Sequence, residues 1–211
     1  MSVSTQQPKP ASTMAGEEIR RVAFNLPNQL TYLRLGLTIV LFWLIAYEHY
    51  LSAMLLFVVA ASTDWLDGYF ARKYNQVTTL GRILDPFADK VIICGTFIFL
   101  VAIPDFDYLR PWMAVVVVGR ELLVTALRSF IEERGTVFRT SLAGKLKMVL
   151  QCAAATASLY YLYRHSHATP PADAPAWLDW TLLVSIWSAM VVTIYSGLGY
   201  VVTVARLLRG A

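Results

Sequence analysis

The sequence predicts an all-α protein that crosses a membrane six times, with a short amphipathic helix lying on the membrane surface ahead of the first span. Three observations predict it. The 211 residues are 57% hydrophobic and only 15% charged, the balance of a polytopic membrane protein rather than a soluble domain. The apolar residues gather into six stretches, each long enough to cross a hydrocarbon core of about 30 Å at about 1.5 Å per helical residue. Basic residues collect at one set of stretch ends, the asymmetry that orients a membrane protein.

Residues 1–16 are polar and rich in Pro, Ser and Thr, without the basic and then apolar pattern of a signal peptide, and read as a disordered tail. Residues 17–211 read as a single domain, with no repeat. From Glu17 to Phe24, two glutamates lead, Arg20 and Arg21 follow, and Ile19, Val22 and Ala23 supply an apolar side, as in a surface-lying helix. A charged flank without fixed structure fits the same residues. Pro27 and Asn28 would end that helix and begin the first span. The spans are expected at Gln29–Tyr47, Leu51–Tyr74, Gly81–Ile103, Trp112–Arg134, Ala143–Arg164 and Trp177–Leu208. Pro104–Pro111 reads as a short loop. So does His165–Ala176, where four of twelve residues are Pro or Asp.

Arg20, Arg21, Arg72, Lys73, Arg82, Arg134, Arg139, Lys145, Lys147, Arg206 and Arg209 fall on one side, and mainly Arg110 and Arg164 on the other. The first side should be cytoplasmic, with both termini there, which locates the protein in the cytoplasmic membrane. Trp112, Trp177 and Trp180 would form an aromatic belt at the far interface. The net charge of +4 therefore reflects topology, and no nucleic-acid partner is expected. Cys94 and Cys152 sit in apolar runs without ligand spacing and read as reduced packing residues.

Asp64, Asp67, Asp85 and Asp89 lie inside the second and third apolar stretches. A carboxylate in a span is costly and marks function by default. The two helices would form an antiparallel pair with its tip near residue 76. Asp64 and Asp89 are equally far from that tip, and so are Asp67 with Asp85 and Arg72 with Gly81. Spacings of three and four place each pair of aspartates on one helix face. Four converging carboxylates repel one another unless a cation answers them. All-oxygen ligation suits Mg²⁺ or Mn²⁺, and two adjacent ions are able to hold a diphosphate. Gly68, Ala71 and Gly81 leave room for close approach, and Arg72 is placed for a phosphate. Two rivals fit part of the pattern: carboxylates paired with basic residues for assembly, and a cation or proton transporter built on intramembrane carboxylates. The transporter does not account for the spacing of Gly68, Ala71, Arg72 and Gly81.

The stretch Asp64-x2-Asp67-Gly68-x2-Ala71-Arg72-x8-Gly81-x3-Asp85-x3-Asp89 resembles the signature of the CDP-alcohol phosphatidyltransferases at every fixed position. The resemblance implies a reaction in which the hydroxyl of a second substrate attacks the phosphorus of a CDP-linked lipid and CMP leaves. It implies Asp64, Asp67, Asp85 and Asp89 as metal ligands, with Asp89 also the catalytic base. It implies Gly68, Ala71, Arg72 and Gly81 beside the cytidine diphosphate. It also implies a homodimer; Ser196, Gly197 and Gly199 are small enough for helix packing within a chain or between chains.

Other stretches bear on the acceptor. Asn28, Thr31 and Arg34 share a helix face and would border the nucleotide, or else serve as a cap and a basic flank. Glu121 and Arg128 are seven residues apart and share a face, with Arg120 adjoining. Arg128 would contact a phosphate, and Arg120 would contact substrate or pair with a buried carboxylate; a purely structural pair of Glu121 with an arginine fits the same residues. Lys145 and Lys147 would capture an anionic acceptor or serve as basic flanks. Arg120-Glu121, Arg128 and Gly144-Lys145-x-Lys147 together resemble the branch of the family that joins CDP-diacylglycerol to sn-glycerol 3-phosphate; Met148 departs from that branch. The acceptor carries about two negative charges at neutral pH, which Arg128, Lys145, Lys147 and Arg120 would answer. Sibling reactions with inositol phosphate, inositol or serine are the alternative.

Overall fold

The computed structural model describes residues 26–74, 79–132, 142–166 and 175–209, with side chains described outside 26–28, 30, 63–74, 79–85, 132, 142–143 and 207–208. The expected surface helix at 17–24 and the tail at 1–16 lie outside the described residues. Every regular element described is helical: α1 (Leu26–Ala46), α2 (Tyr50–Tyr74), α3 (Thr79–Val101), α4 (Pro111–Glu132), α5 (Leu142–Ser166) and α6 (Ala176–Arg209).

These helices match the six apolar stretches to within about three residues, and local chemistry explains the offsets. Pro27 stands in the first turn of α1, where its missing N–H costs nothing, so the helix begins before Asn28 instead of at it. Pro111 opens α4 for the same reason. After α1 the chain turns through Glu48 at φ 62°. The Glu48 N–H donates to the Ile45 carbonyl (3.1 Å) and the His49 N–H to that of Leu44 (2.9 Å), a Schellman closure with glutamate in the left-handed position. Asp105, also at φ 62°, turns the chain after α3.

Pairwise packing joins the helices in the cyclic order α1–α2–α5–α6–α4–α3, and α3 also meets α5 across the ring. The core comes from every helix: Leu41 and Ile45, Phe57, Phe97 and Leu100, Val117, Leu159, and Ile186 with Met190 are buried. α1 packs against α3 at Gly95. There the Phe42 ring lies over the glycine and stacks on Phe99, centroids 4.8 Å apart.

The loop 102–110 plugs one end of the ring. Phe106 and Leu109 are buried, and the Tyr108 hydroxyl donates to Asp179 (2.7 Å) in the first turn of α6, where a carboxylate also complements the helix N-terminus. Burial, followed by the hydrogen bonds with Tyr161 and Asp179, raises the Tyr108 phenol above its ordinary range, so it remains a donor. Trp112, Trp177 and Trp180 stand exposed at this same end.

Polarity runs inside out. Thr31, Arg34, Thr38, Glu121, Lys147, Gln151, Thr193 and Ser196 are buried, while Ile39, Val115, Val149, Val184 and Tyr195 face outward. Among the described residues one helix, Ala176–Arg206, is long and apolar enough to cross a membrane by itself; Thr31–Ala46 and Tyr50–Ser62 are shorter apolar runs.

A Cβ at Gly95 would stand 2.0 Å from the Phe42 ring. Gly95→Val should therefore destabilise the folded protein by about 1–3 kcal/mol. Phe42→Ala in the same chain should recover part of that loss. Thermal unfolding in detergent checks both.

Candidate active site

Asp64 and Asp67 fall on α2, and Asp85 and Asp89 on α3. Of these four, only the side chain of Asp89 is among those described; those of Asp64, Asp67 and Asp85 are not, nor are those of Asn28, Gly68, Ala71, Arg72 and Gly81. Asp89 is partly buried, and its Oδ1 accepts a hydrogen bond from Arg34 Nη1 at 2.7 Å. Arg34 reaches it from α1, from a buried face that also carries Thr31 and Thr38; the Thr38 hydroxyl donates to the Arg34 carbonyl at 2.8 Å. Arg34 thus stands against a carboxylate of the motif. Pro86, three residues before Asp89, stands inside α3 without an N–H for the helical ladder.

A second cluster lies deeper in the ring. Glu121 of α4 is buried, and its Oε1 accepts from both Arg120 Nη1 (3.0 Å) and Lys147 Nζ of α5. The Arg120 Nη2 donates to Ser196 Oγ of α6 at 3.0 Å, and the guanidinium lies 5.7 Å from the Tyr200 ring centroid. Gly197 gives this side chain room: a Cβ there would approach Arg120 Cγ to 3.1 Å. Of the two roles open to Arg120, pairing with a buried carboxylate is the one this geometry matches. Ser196 and Gly197 pack within the chain, while Gly199 has open space beside it.

Between the two clusters is a polar cavity of about 190 Å³ where α3, α4 and α5 meet. Asp89, Lys90, Glu121, Arg128 and Lys147 supply its charges, three cations against two carboxylates, and Pro86, Ile93, Met148 and Gln151 complete the wall. Its volume lies below the roughly 300 Å³ at which drug-sized pockets begin. A small anionic polyol fits such a space and a lipid does not. Arg128 and Lys147 therefore meet Asp89 at one cavity. Arg120 is not part of its lining. Lys145 is exposed and lines a different, larger groove of about 1070 Å³ between α2, α5 and α6, whose walls include Met54, Phe57, Val149 and Trp177. Met148 belongs to both.

The motif reading leaves out Lys90, and it places Gln151 one turn deeper than Lys147 without a role. Lys90 carried a usable signal: a lysine inside an apolar stretch, next to a motif aspartate, needs a partner or a cavity. Gln151 carried a weaker one, as a polar residue one turn beyond Lys147 on the same helix.

A model of the CDP-alcohol phosphatidyltransferases matches residues 24–195, which takes in the whole Asp64–Asp89 pattern and both charge clusters. The chain belongs to the CDP-alcohol phosphatidyltransferase family. Relatives named CDP-diacylglycerol–glycerol-3-phosphate 3-phosphatidyltransferase are 34% identical in Bacillus subtilis and 33% in Escherichia coli K12, each over 84% of this chain and 93% of the relative. One from Pseudomonas fluorescens is 41% identical over 53% of this chain and 58% of its own length. Members of the family use divalent metal ions. Among the described residues no three acidic, His or Cys side chains form a ligand cluster. The donor chemistry fits nonetheless: Asp89 offers a carboxylate at the cavity wall, and its helix and α2 carry the three other motif aspartates.

The Glu121 cluster yields a stability prediction. Glu121→Ala should destabilise the protein by about 3–5 kcal/mol, because two buried cations lose their counter-charge. Adding Lys147→Met should cost much less than the sum of the single changes. A double-mutant cycle on thermal unfolding checks the coupling; simple additivity would mean the pair does not interact.

Proposed function

We propose that this protein transfers the phosphatidyl group of CDP-diacylglycerol to sn-glycerol 3-phosphate, giving phosphatidylglycerol phosphate and CMP. The observation that carries this reading is the 190 Å³ cavity, which joins a motif carboxylate, Asp89, to the cations Arg128, Lys147 and Lys90. A phosphorylated acceptor needs those cations, and a neutral or zwitterionic one does not. The names of the relatives point to the same acceptor.

In this reading Arg128, Lys147 and Lys90 hold the acceptor phosphate. Lys147 gives one of its three donors to Glu121, which fixes the ammonium in place and leaves the others for the ligand. Arg120 acts at one remove by holding Glu121, and Lys145 stands at the edge of the larger groove. Asp89, oriented by Arg34, takes the proton from the acceptor's terminal hydroxyl. The freed oxygen bonds to the phosphatidyl phosphorus, the bond from that phosphorus to the bridging oxygen breaks, and CMP departs with the electron pair. Asn28, Thr31, Arg34, Gly68, Ala71, Arg72 and Gly81 border the nucleotide. Asp64, Asp67, Asp85 and Asp89 would hold two Mg²⁺ or Mn²⁺ ions, which polarise the diphosphate and neutralise the charge on the departing CMP.

The reading includes six membrane-spanning helices, an active site open to the cytoplasm and a homodimer. The inside-out polarity of the ring and the exposed tryptophans at the end opposite the motif support the membrane assignment. The acyl chains lie in the groove between α2, α5 and α6.

CMP release by the detergent-purified protein, with CDP-diacylglycerol and Mg²⁺, tests the proposal. Glycerol 3-phosphate should support release, and a chelator or Asp89→Asn should reduce it at least about 1000-fold. Release with inositol phosphate, inositol or serine instead would replace the acceptor. Ion flux without CMP release would replace the reaction class.

Arg128→Ala should raise the KM for glycerol 3-phosphate about tenfold or more while leaving that for CDP-diacylglycerol within about twofold, as loss of a charge-assisted contact predicts. An unchanged acceptor KM removes Arg128 from the phosphate site.

A further inference from the structure

Gln151 is fully buried at the wall of the small cavity. Its Nε2 donates to Thr193 Oγ1 of α6 at 3.0 Å, which fixes the plane of the amide. Its Oε1 is buried and has no hydrogen-bond partner among the described residues. A buried amide oxygen without a donor is costly, and native proteins rarely keep one without a use. Among the described residues the rest of the cavity wall is charged or apolar: Lys90, Arg128 and Lys147 are cations, Asp89 and Glu121 are carboxylates.

An amide oxygen repels a phosphate and accepts from a hydroxyl. The acceptor proposed above has two hydroxyls. The terminal one attacks and belongs at Asp89, so the secondary one needs an acceptor of its own. Resting on that reading of the cavity, we propose that Gln151 is a specificity-determining residue whose Oε1 accepts a hydrogen bond from the secondary hydroxyl of the acceptor polyol. Thr193 is its positioning residue. Gln151 and Asp89 face the cavity from different helices, α5 and α3, so one acceptor molecule is gripped at both hydroxyls while the cations hold its phosphate.

The test compares two acceptors with the full chain in detergent, CDP-diacylglycerol and Mg²⁺: sn-glycerol 3-phosphate and 3-hydroxypropyl phosphate, which lacks only the secondary hydroxyl. The readout is the ratio of kcat/KM values for CMP release. The unaltered protein should prefer glycerol 3-phosphate by about 10- to 100-fold, because the analogue leaves the buried oxygen unfilled. Gln151→Met, close in size but without the amide, should bring the ratio to within about threefold of unity. Thr193→Val should move it the same way by a smaller factor, and keeps the test in force should Gln151→Met fail to fold. A purely structural Gln151 would lower turnover of both acceptors and leave the ratio unmoved. An unmoved ratio in the variants, or no preference in the unaltered protein, overturns the proposal while leaving the glycerol 3-phosphate reading intact. Absence of CMP release with both acceptors overturns that reading and the proposal together.

Discussion

Ionised side chains buried among apolar helices must each be answered by another, since desolvation costs several kcal/mol per ion. Here that constraint organises the ring. Glu121 accepts from Arg120 and Lys147, and Arg120 continues to Ser196, so one carboxylate ties α4, α5 and α6 together. Asp89 and Arg34 tie α3 to α1. Two ion clusters thus pin five of the six helices around one small cavity. The remaining helix, α2, carries Asp64 and Asp67 of the family motif.

Such clusters contribute less to net stability than their short contacts suggest, because well-packed apolar side chains in the same volume often do as well. Their value lies in position. Lys147 is held by Glu121, and Gln151 one turn further along α5 is held by Thr193. The proposed acceptor would therefore meet donors and acceptors already in place, with little side-chain entropy lost on binding. The central location of α3 and α5, which touch across the ring, brings the motif helix and the cationic helix to the same cavity.

Much of this was legible in the sequence, because hydropathy and fixed spacing are local signals. The six helices follow from apolar runs, with errors where a proline or a Schellman turn sets the end. Asp89 and Arg128 follow from the cost of charge in an apolar stretch. Partner choice between helices was not legible, unlike the pairing of the neighbours Arg120 and Glu121 on α4. Arg34 and Asp89 are 55 residues apart, and Glu121 and Lys147 are 26 apart; no spacing rule connects residues on different helices. Lys145 and Lys147 illustrate the intermediate case. Two residues along a helix is about 200° of rotation, so these lysines had to face opposite ways. Only tertiary packing reveals that Lys147 turns to Glu121 and Lys145 to the larger groove.

Met148 is the point at which the two halves of the proposed chemistry meet. It lines both the polar cavity and the apolar groove, and it is the position where this chain departs from the branch it resembles. In the proposed reaction the phosphorus of the donor is attached to the lipid on one side and faces the acceptor hydroxyl on the other, which puts it where these spaces adjoin. A hydroxyl-bearing residue there would offer the cavity one more polar group. A thioether offers none, and its flexible, polarisable chain packs against acyl carbons without binding the acceptor. In the proposed reaction, with Met148 silent toward hydroxyls, the burden of recognising the polyol falls on the rest of the cavity wall, where Gln151 is the only neutral amide side chain among the described residues.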